Sequence, residues 1–249
     1  MKPDKHIYFA SDFHLGAPTE QASKKRELKI IAWLDSIKTN CEELFLMGDL
    51  FDFWFEYKHV VPKGYIRFLA KLCEFTDQGI PVHVFTGNHD MWMFDYLEKE
   101  IGVTIHRTCI ERTFNHKTFF LGHGDGLGPG DYGYKFIKKI FANRFCQWLF
   151  ARIHPNLAFR IANFWSLKSR NQGSEKDKEF LGEDHEWLAI FAKEKLTERH
   201  YDYFIFGHRH LPIEMNVGKA TYINLGEWMN YYTYAVFDGQ TLRLNTFEE

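Results

Sequence analysis

Short apolar runs alternate with longer helical segments along this chain, and this alternation limits the fold to a small set. Residues 7–10 form a compact apolar run. After a polar loop, Ile30, Trp33, Leu34 and Ile37 fall at i, i+3, i+4 and i+7, the spacing of one helical face. Residues 44–47 read as the next strand. Ile66, Leu69, Ala70 and Cys73 repeat the helical spacing, and Gln78-Gly79 closes that helix before a strand over 82–85. Such a βαβαβ succession predicts a parallel sheet flanked by helices. Further strands are expected at 118–121 and 203–206. The C-terminal part reads as strands at 221–225, 232–237 and 241–247, with Asp238-Gly239 as the turn between the last two. The expected class is α/β: a mixed sandwich, with residues 1–249 as a single domain.

Five polar motifs stand at or just beyond these runs: Asp12-Phe13-His14, Gly48-Asp49, Gly87-Asn88-His89-Asp90, Gly122-His123 and Gly207-His208-Arg209-His210. Each supplies the oxygen or imidazole donors that hold divalent transition metals. A lone Asp after a strand is more often a turn or a helix cap than a ligand. Here Asp12, Asp49, Asn88, His123 and His208 all lie just past predicted strand ends, and open α/β sheets bind their ligands outside the carboxyl ends of the strands. The five loops therefore point into one crevice, and together they read as a two-metal phosphoesterase site.

Composition narrows the partners. At 45% hydrophobic and 18% aromatic, the 249 residues can bury a substantial core. The net charge of -2 argues against a general nucleic-acid binder, which displays a basic face, so no nucleic-acid partner is expected. Cys41, Cys73, Cys109 and Cys146 are widely spaced without a CxxC pair, as expected for reduced thiols in a cytosolic protein. The opening residues carry too short an apolar run for an export signal, and no uncharged stretch is long enough to cross a bilayer. A cytoplasmic location is expected.

The ordered motif series resembles that of the calcineurin-like metallophosphoesterases, which carry Asp-x-His, Gly-Asp, Gly-Asn-His-Asp/Glu, Gly-His and Gly-His-x-His. It spans Asp12 to His210, nearly the whole chain. The resemblance implies that Asp12, His14 and His210 hold one metal, that Asn88, His123 and His208 hold a second, and that Asp49 bridges them. The family implies manganese; mixed imidazole and carboxylate shells also suit iron or zinc. A water between two such ions has its pKa lowered toward about 7 and can attack phosphorus without a protein base. His89 is expected to donate to a phosphoryl oxygen or the leaving group, with Asp90 orienting its ring.

Longer motifs narrow the resemblance. Gly48-Asp49-Leu50-Phe51-Asp52-Phe53-Trp54, His123-Gly124-Asp125 and Leu225-Gly226-Glu227-Trp228 look like those of the UDP-2,3-diacylglucosamine diphosphatases of lipid A biosynthesis. Asp131 stands where that family has an aspartate at the substrate. One departure is His89, where the best-known branch of that family has arginine. From Tyr132 to Ser174 there is no acidic residue, whereas Lys135, Lys138, Lys139, Arg144, Arg152, Arg160, Lys168 and Arg170 are basic. Ile137, Ile140, Phe141, Phe145, Trp148 and Leu149 keep helical spacing, as do Leu157, Ile161, Phe164 and Trp165. Amphipathic helices with a basic face are thus expected as a cap inserted over about residues 131–180, suited to an acyl pocket or an anionic membrane surface.

The expected reaction is hydrolysis of UDP-2,3-diacylglucosamine to UMP and 2,3-diacylglucosamine 1-phosphate, at the cytoplasmic face of a bacterial inner membrane. Expected substrate contacts are Asn88, His89, Asp131, Trp148, Trp165, Lys168 and His208. Sequence alone gives no oligomeric state. The alternatives are a phosphoesterase acting on another nucleotide diphosphate or phosphodiester, and a metal-free scaffold of the same fold. The seven filled ligand positions weigh against the scaffold.

Overall fold

The computed structural model describes residues 1–130, 132–173, 180 and 182–248, without the side chains of 163 and 167–173. Among the described residues, eleven strands form two mixed sheets. In the first, β1 (His6–Ala10), β2 (Cys41–Leu46), β3 (Val82–Phe85) and β4 (Thr104–His106) run parallel, and β10 (Thr233–Phe237) and β11 (Leu242–Thr246) extend it antiparallel beside β1, in the order β11-β10-β1-β2-β3-β4. In the second, β6 (Lys117–Leu121), β7 (Tyr203–Phe206) and β9 (Ala220–Leu225) are parallel, edged by antiparallel β5 (Ile110–Phe114) and β8 (Pro212–Val217).

The layering follows from strand alternation, which sends successive side chains to opposite faces. Ile7 and Phe9 of β1 join Phe45, Phe119, Ile205, Ile223 and Phe237 in the core between the sheets. Tyr8 and Ala10 turn the other way, onto α1 (Glu20–Ile37) and α2 (Ile66–Asp77), where Trp33, Leu34, Phe68 and Leu72 cover the first sheet. The outer face of the second sheet is covered by α7 (Trp187–Glu198), whose Leu188, Ala189 and Ala192 pack on Phe204, Phe206 and Tyr222. The result is a helix–sheet–sheet–helix sandwich. All the predicted strands and both predicted sandwich helices form.

Five elements were not anticipated, among them α7, which lies beyond the expected cap. Two are short, β4 and α3 (Tyr96–Ile101), and give little periodic signal. Strands β5 and β8 alternate buried and exposed positions at sheet edges. The turn at Asn115-His116, where both residues have positive φ, joins β5 to β6 as a two-residue hairpin.

Between β6 and α7 the chain leaves the sandwich as α4 (Tyr132–Ala142), α5 (Arg144–Phe150) and α6 (Pro155–Gly173). Asn143 caps α5 by accepting from the N–H groups of Phe145 and Cys146 at 2.9 and 3.2 Å. Neither α4 nor α5 has a buried residue. The three helices grip the sandwich through one aromatic cluster, Phe141, Phe150 and Phe159 packed on Phe53, Phe55 and Trp92. The Trp92 indole also donates to the carbonyl of Phe141 at 2.9 Å. Among the described residues, no helix is long and apolar enough to cross a membrane.

Candidate active site

Parallel strands of both sheets end on the same side of the sandwich, and their following loops meet there. The loop after β1 carries Asp12 and His14, that after β2 carries Asp49, and that after β3 carries Asn88 and His89. The second sheet contributes His123 after β6, and His208 and His210 after β7. Each sheet alone supplies only part of the set. The loops are tied to one another by backbone bonds: Asp12 N–H donates to the Gly48 carbonyl at 3.0 Å and His14 N–H to the Asp49 carbonyl at 2.9 Å. Asp12 also accepts from His208 N–H at 3.0 Å, joining the two sheets directly.

Three donor clusters result among the described residues; two of them share Asp49, and the third joins His14, Asp52 and His89. Asp12, His14, Asp49 and His210 form the first, and Asp49, His123 and His208 the second, with their ligating atoms within 4.8 Å of one another. In the first, Nε2 of His14 and Nε2 of His210 lie 3.1 Å apart, and Asp12 Oδ1 lies 3.8 and 3.2 Å from them. In the second, His123 Nε2 lies 3.4 Å from Asn88 Oδ1 and 3.4 Å from Asp49 Oδ2. Asp49 Oδ2 is buried without a hydrogen-bond partner, between His123 Nε2 and His14 Nε2, the latter at 3.9 Å.

An orphaned carboxylate oxygen in a buried site is costly unless a cation meets it. The converging nitrogens of His14 and His210 present the same demand. His123 is further prepared by its Nδ1, 2.8 Å from the Met47 carbonyl. A proton on Nδ1 satisfies that carbonyl and leaves the Nε2 lone pair for a metal. The donor set thus fits two divalent ions of the manganese, iron and zinc group, with Asp49 between them.

The backbone is bent to achieve this. Asp12, His14, Asp49, His208 and His210 all adopt positive φ, between 43° and 67°, a region costing a non-glycine residue about 1–2 kcal/mol. Strain of this kind gathers at functional sites, where the surroundings enforce it. Two glycines have no room for a side chain: a Cβ on Gly87 would clash with Asp49 Oδ1 and its backbone nitrogen, and one on Gly48 would lie 2.6 Å from His123 Nδ1.

Electrostatics divides the histidines. Burial opposes charge on His123, but Asp49, Asp12 and Asp125 together outweigh it, and the ring is pushed up to about 10. Burial and the neighbouring His123 charge depress His208 to about 4. Although burial works in the opposite direction, the surrounding histidines hold Asp49 well below the ordinary carboxylate range. The carboxylates around His123 thus favour positive charge at that point of the site.

Surrounding residues position these groups, and several carry no motif. Arg26 of α1 is buried and donates to the carbonyls of His14 and Ala17 at 2.6 and 2.5 Å. Trp228 N–H donates to the Asp12 carbonyl at 3.2 Å, and its ring packs edge-on against Phe13. Asn224 Nδ2 donates to the Gly207 carbonyl at 2.5 Å. Arg209, buried between two histidines of its motif, pairs with Glu186 at 3.2 Å. The long final motif therefore braces the first loop from behind. Arg26, Asn224 and Glu186 were not identified from sequence, where an isolated Arg, Asn or Glu gives no signal.

His89 lies beside the clusters, its ring 4.9 Å from that of His14. Asp90 does not orient it, contrary to expectation. The Asp90 carboxylate accepts from Gly87 N–H at 2.8 Å and Leu50 N–H at 2.7 Å, pinning the third motif to the second. Burial, then the nearby Asp49 charge, push this carboxyl up to about 7. The His89 ring is held instead by Asp52, its Nδ1 lying 3.0 Å from the Asp52 carbonyl. Both carboxylate oxygens of Asp52 accept from Ser166 Oγ of α6 at 2.9 Å, so this contact also ties the cap to the site.

A cavity of about 410 Å³ opens beside Asn88 and His89 and runs under the cap. Its far walls are apolar, including Phe53, Ile137, Ile140, Phe150, Ile161 and Trp165. Trp165 borders this cavity with about half of its surface exposed. Trp148 does not line it: it is also about half exposed, on α5, stacked on Phe145 and under the Arg152 guanidinium. Helical spacing assigned Trp148 to an apolar stripe, but α5 turns that stripe outward. Asp131 and the side chain of Lys168 lie outside the described residues.

A mixed α/β sandwich with two metal-ready clusters at its strand ends defines the metallophosphoesterase class. Residues 5–212 match the model of the calcineurin-like phosphoesterases, and the chain belongs to that family and is a hydrolase. It is similar to the UDP-2,3-diacylglucosamine hydrolase of Porphyromonas gingivalis, at 38% identity over 98% of both chains. It is also similar to proteins of that name from Haemophilus influenzae, at 27% over 92% of both, and Vibrio parahaemolyticus, at 28% over 96% of this chain and 93% of the other.

Proposed function

We propose that this chain cleaves the diphosphate of UDP-2,3-diacylglucosamine, giving UMP and 2,3-diacylglucosamine 1-phosphate in lipid A biosynthesis. The observation that carries this reading is the apolar cavity opening at Asn88 and His89, next to the two donor clusters. A diphosphate at the clusters can direct an acyl chain into the cavity. A hydrolase for small phosphodiesters has no use for such a chamber, and the relatives named above bear a name with this substrate.

Asp12, His14 and His210 would hold one ion and Asn88, His123 and His208 the other, with Asp49 available to both; manganese is the proposed metal. When bound, the pair lowers the pKa of water and neutralises charge on the phosphoryl oxygens. The residues of the chain supply the remaining functions. Hydrolysis forms one P–O bond from water and breaks one bond of the P–O–P bridge, and the bridging oxygen leaves on the other phosphate. Nδ1–H of His89 donates to the Asp52 carbonyl, so in the doubly protonated ring Nε2–H can hold a phosphoryl oxygen or give the departing oxygen a proton. Asn88 and His208 border the same phosphate, and the cap excludes water from the acyl side.

The cap's outer face adds a membrane role. Phe136, Phe145, Trp148 and Leu149 are exposed there beside Lys139 and Arg152. Aromatic side chains interleaved with cations suit the headgroup level of an anionic bilayer, so the protein docks peripherally on the cytoplasmic face of the inner membrane. The whole chain acts as one catalytic domain with its inserted cap. Metal-reconstituted protein given UDP-2,3-diacylglucosamine should release UMP and 2,3-diacylglucosamine 1-phosphate in equal amounts. Release of UDP, or no reaction while a chromogenic phosphodiester is cleaved, would favour a hydrolase for other nucleotide esters.

A further inference from the structure

On the other side of Met91 and Lys138 from the apolar chamber lies a second cavity, of about 480 Å³, whose lining is of a different character. It begins at Thr86 and Gly87, where β3 ends and the third motif starts, and Arg107, Lys138, Arg144 and Gln147 face it. No carboxylate lines it. Both cavities therefore adjoin the same loop, one apolar and one cationic, and Lys138 borders both.

The three cations differ in what already engages them. Lys138 pairs with Asp125 at 2.5 Å and donates to its carbonyl at 3.0 Å. Arg107 donates to the carbonyls of Met93 and Phe94 at 2.9 and 2.6 Å, which holds its guanidinium at the rim. Among the described residues, neither Arg107 nor Arg144 forms a salt bridge with a carboxylate. Guanidinium groups match the paired oxygens of a phosphate, and they bind it more strongly where no competing carboxylate stands nearby.

We infer that this cationic cavity is the subsite for the nucleoside monophosphate half of the substrate, with Arg144 as its principal phosphate and specificity contact. The inference rests on the proposed reaction and adds a division of the substrate: acyl-sugar under the cap, nucleotide between β3 and the start of α5. The same surface takes UMP as a product, so free UMP competes with substrate. Gln147, whose amide nitrogen donates to the Phe141 carbonyl at 2.9 Å, keeps its side-chain oxygen to accept from a base or ribose. A bare orthophosphate site would require only the cations.

The test uses the full-length, metal-loaded enzyme and inhibition by each product separately. UMP should inhibit competitively, with uridine alone and inorganic phosphate alone each at least tenfold weaker. Arg144→Glu should raise the inhibition constant of UMP at least tenfold while changing that of 2,3-diacylglucosamine 1-phosphate less than twofold. Arg144→Lys should recover part of the loss, and circular dichroism checks that both variants fold. Equal weakening of both products, or no change in UMP inhibition, would overturn the subsite. So would inhibition by inorganic phosphate as strong as by UMP. Failure of the wild-type protein to cleave the lipid nucleotide at all would instead overturn the proposed reaction, and that outcome is read before any variant is compared.

Discussion

Asp49 Oδ2 is the atom on which both halves of the proposed metal centre depend. It is buried without a hydrogen-bond partner and stands between a histidine from each sheet. Asp49→Ala should abolish turnover and lower the bound metal below two ions per chain, measured by metal analysis alongside rate. A variant that kept two ions and near-normal activity would show that the bridge is elsewhere. Gly87→Ala reaches the same point indirectly, because the added methyl would press on Asp49 Oδ1; it should weaken metal binding without removing any ligand. His89 is expected to behave differently. His89→Ala should lower kcat by about 10²- to 10⁴-fold, the range of a positioned acid, with metal content unchanged, since its Nδ1 is engaged by Asp52. Loss of metal in that variant would make His89 a ligand or a ligand support. The proton held by His123 gives a pH signature. Its folded pKa, near 10, lies above neutrality, and only the neutral ring can ligate. Metal loading at pH 7 should therefore release a proton, and apparent affinity should fall as pH falls. Calorimetry in buffers of different ionisation enthalpy measures this; a loading enthalpy independent of buffer would contradict it.

At the scale of elements, how much the sequence revealed depended on whether a signal was local. β1, β3 and β7 stand out because each is a short apolar run ending in a polar motif, and their loops converge because parallel strands share an end. The ligand positions were legible for the same reason. The braces were not: Arg26 acts through two carbonyls, Asn224 through one, and Glu186 approaches Arg209 from another loop. Asp90 shows the opposite failure. It is adjacent to His89 in sequence, yet its carboxylate serves the backbone of Gly87 and Leu50. The cap helices were legible as amphipathic, but periodicity cannot say which way a stripe faces. Trp165 and Trp148 are each about half exposed, but of the two only Trp165 lines the cavity. Trp165→Arg should therefore raise KM for the acylated substrate at least tenfold, whereas Trp148→Glu should weaken binding to anionic vesicles and leave turnover of detergent-dispersed substrate within about twofold. If the two variants exchanged these effects, the assignment of the two helix faces would be wrong.

For the whole molecule, the arrangement amounts to a two-sheet base that gathers the metal donors, with a helical cap joined to it by an aromatic cluster, the Asp52–Ser166 contact and the bonds of Tyr134 and Lys138 to Asp125. The base alone supplies what any phosphoester hydrolysis needs. The chamber under the cap makes the proposed substrate specific, because each buried methylene contributes about 0.8 kcal/mol before ordering costs are subtracted. The most direct measurement is kcat/KM of the metal-loaded enzyme for UDP-2,3-diacylglucosamine and for the same compound without acyl chains. The acylated compound should be preferred by several powers of ten, and the preference should collapse in Trp165→Arg. Similar kcat/KM for the two compounds would contradict the lipid assignment and leave a general nucleotide hydrolase in its place.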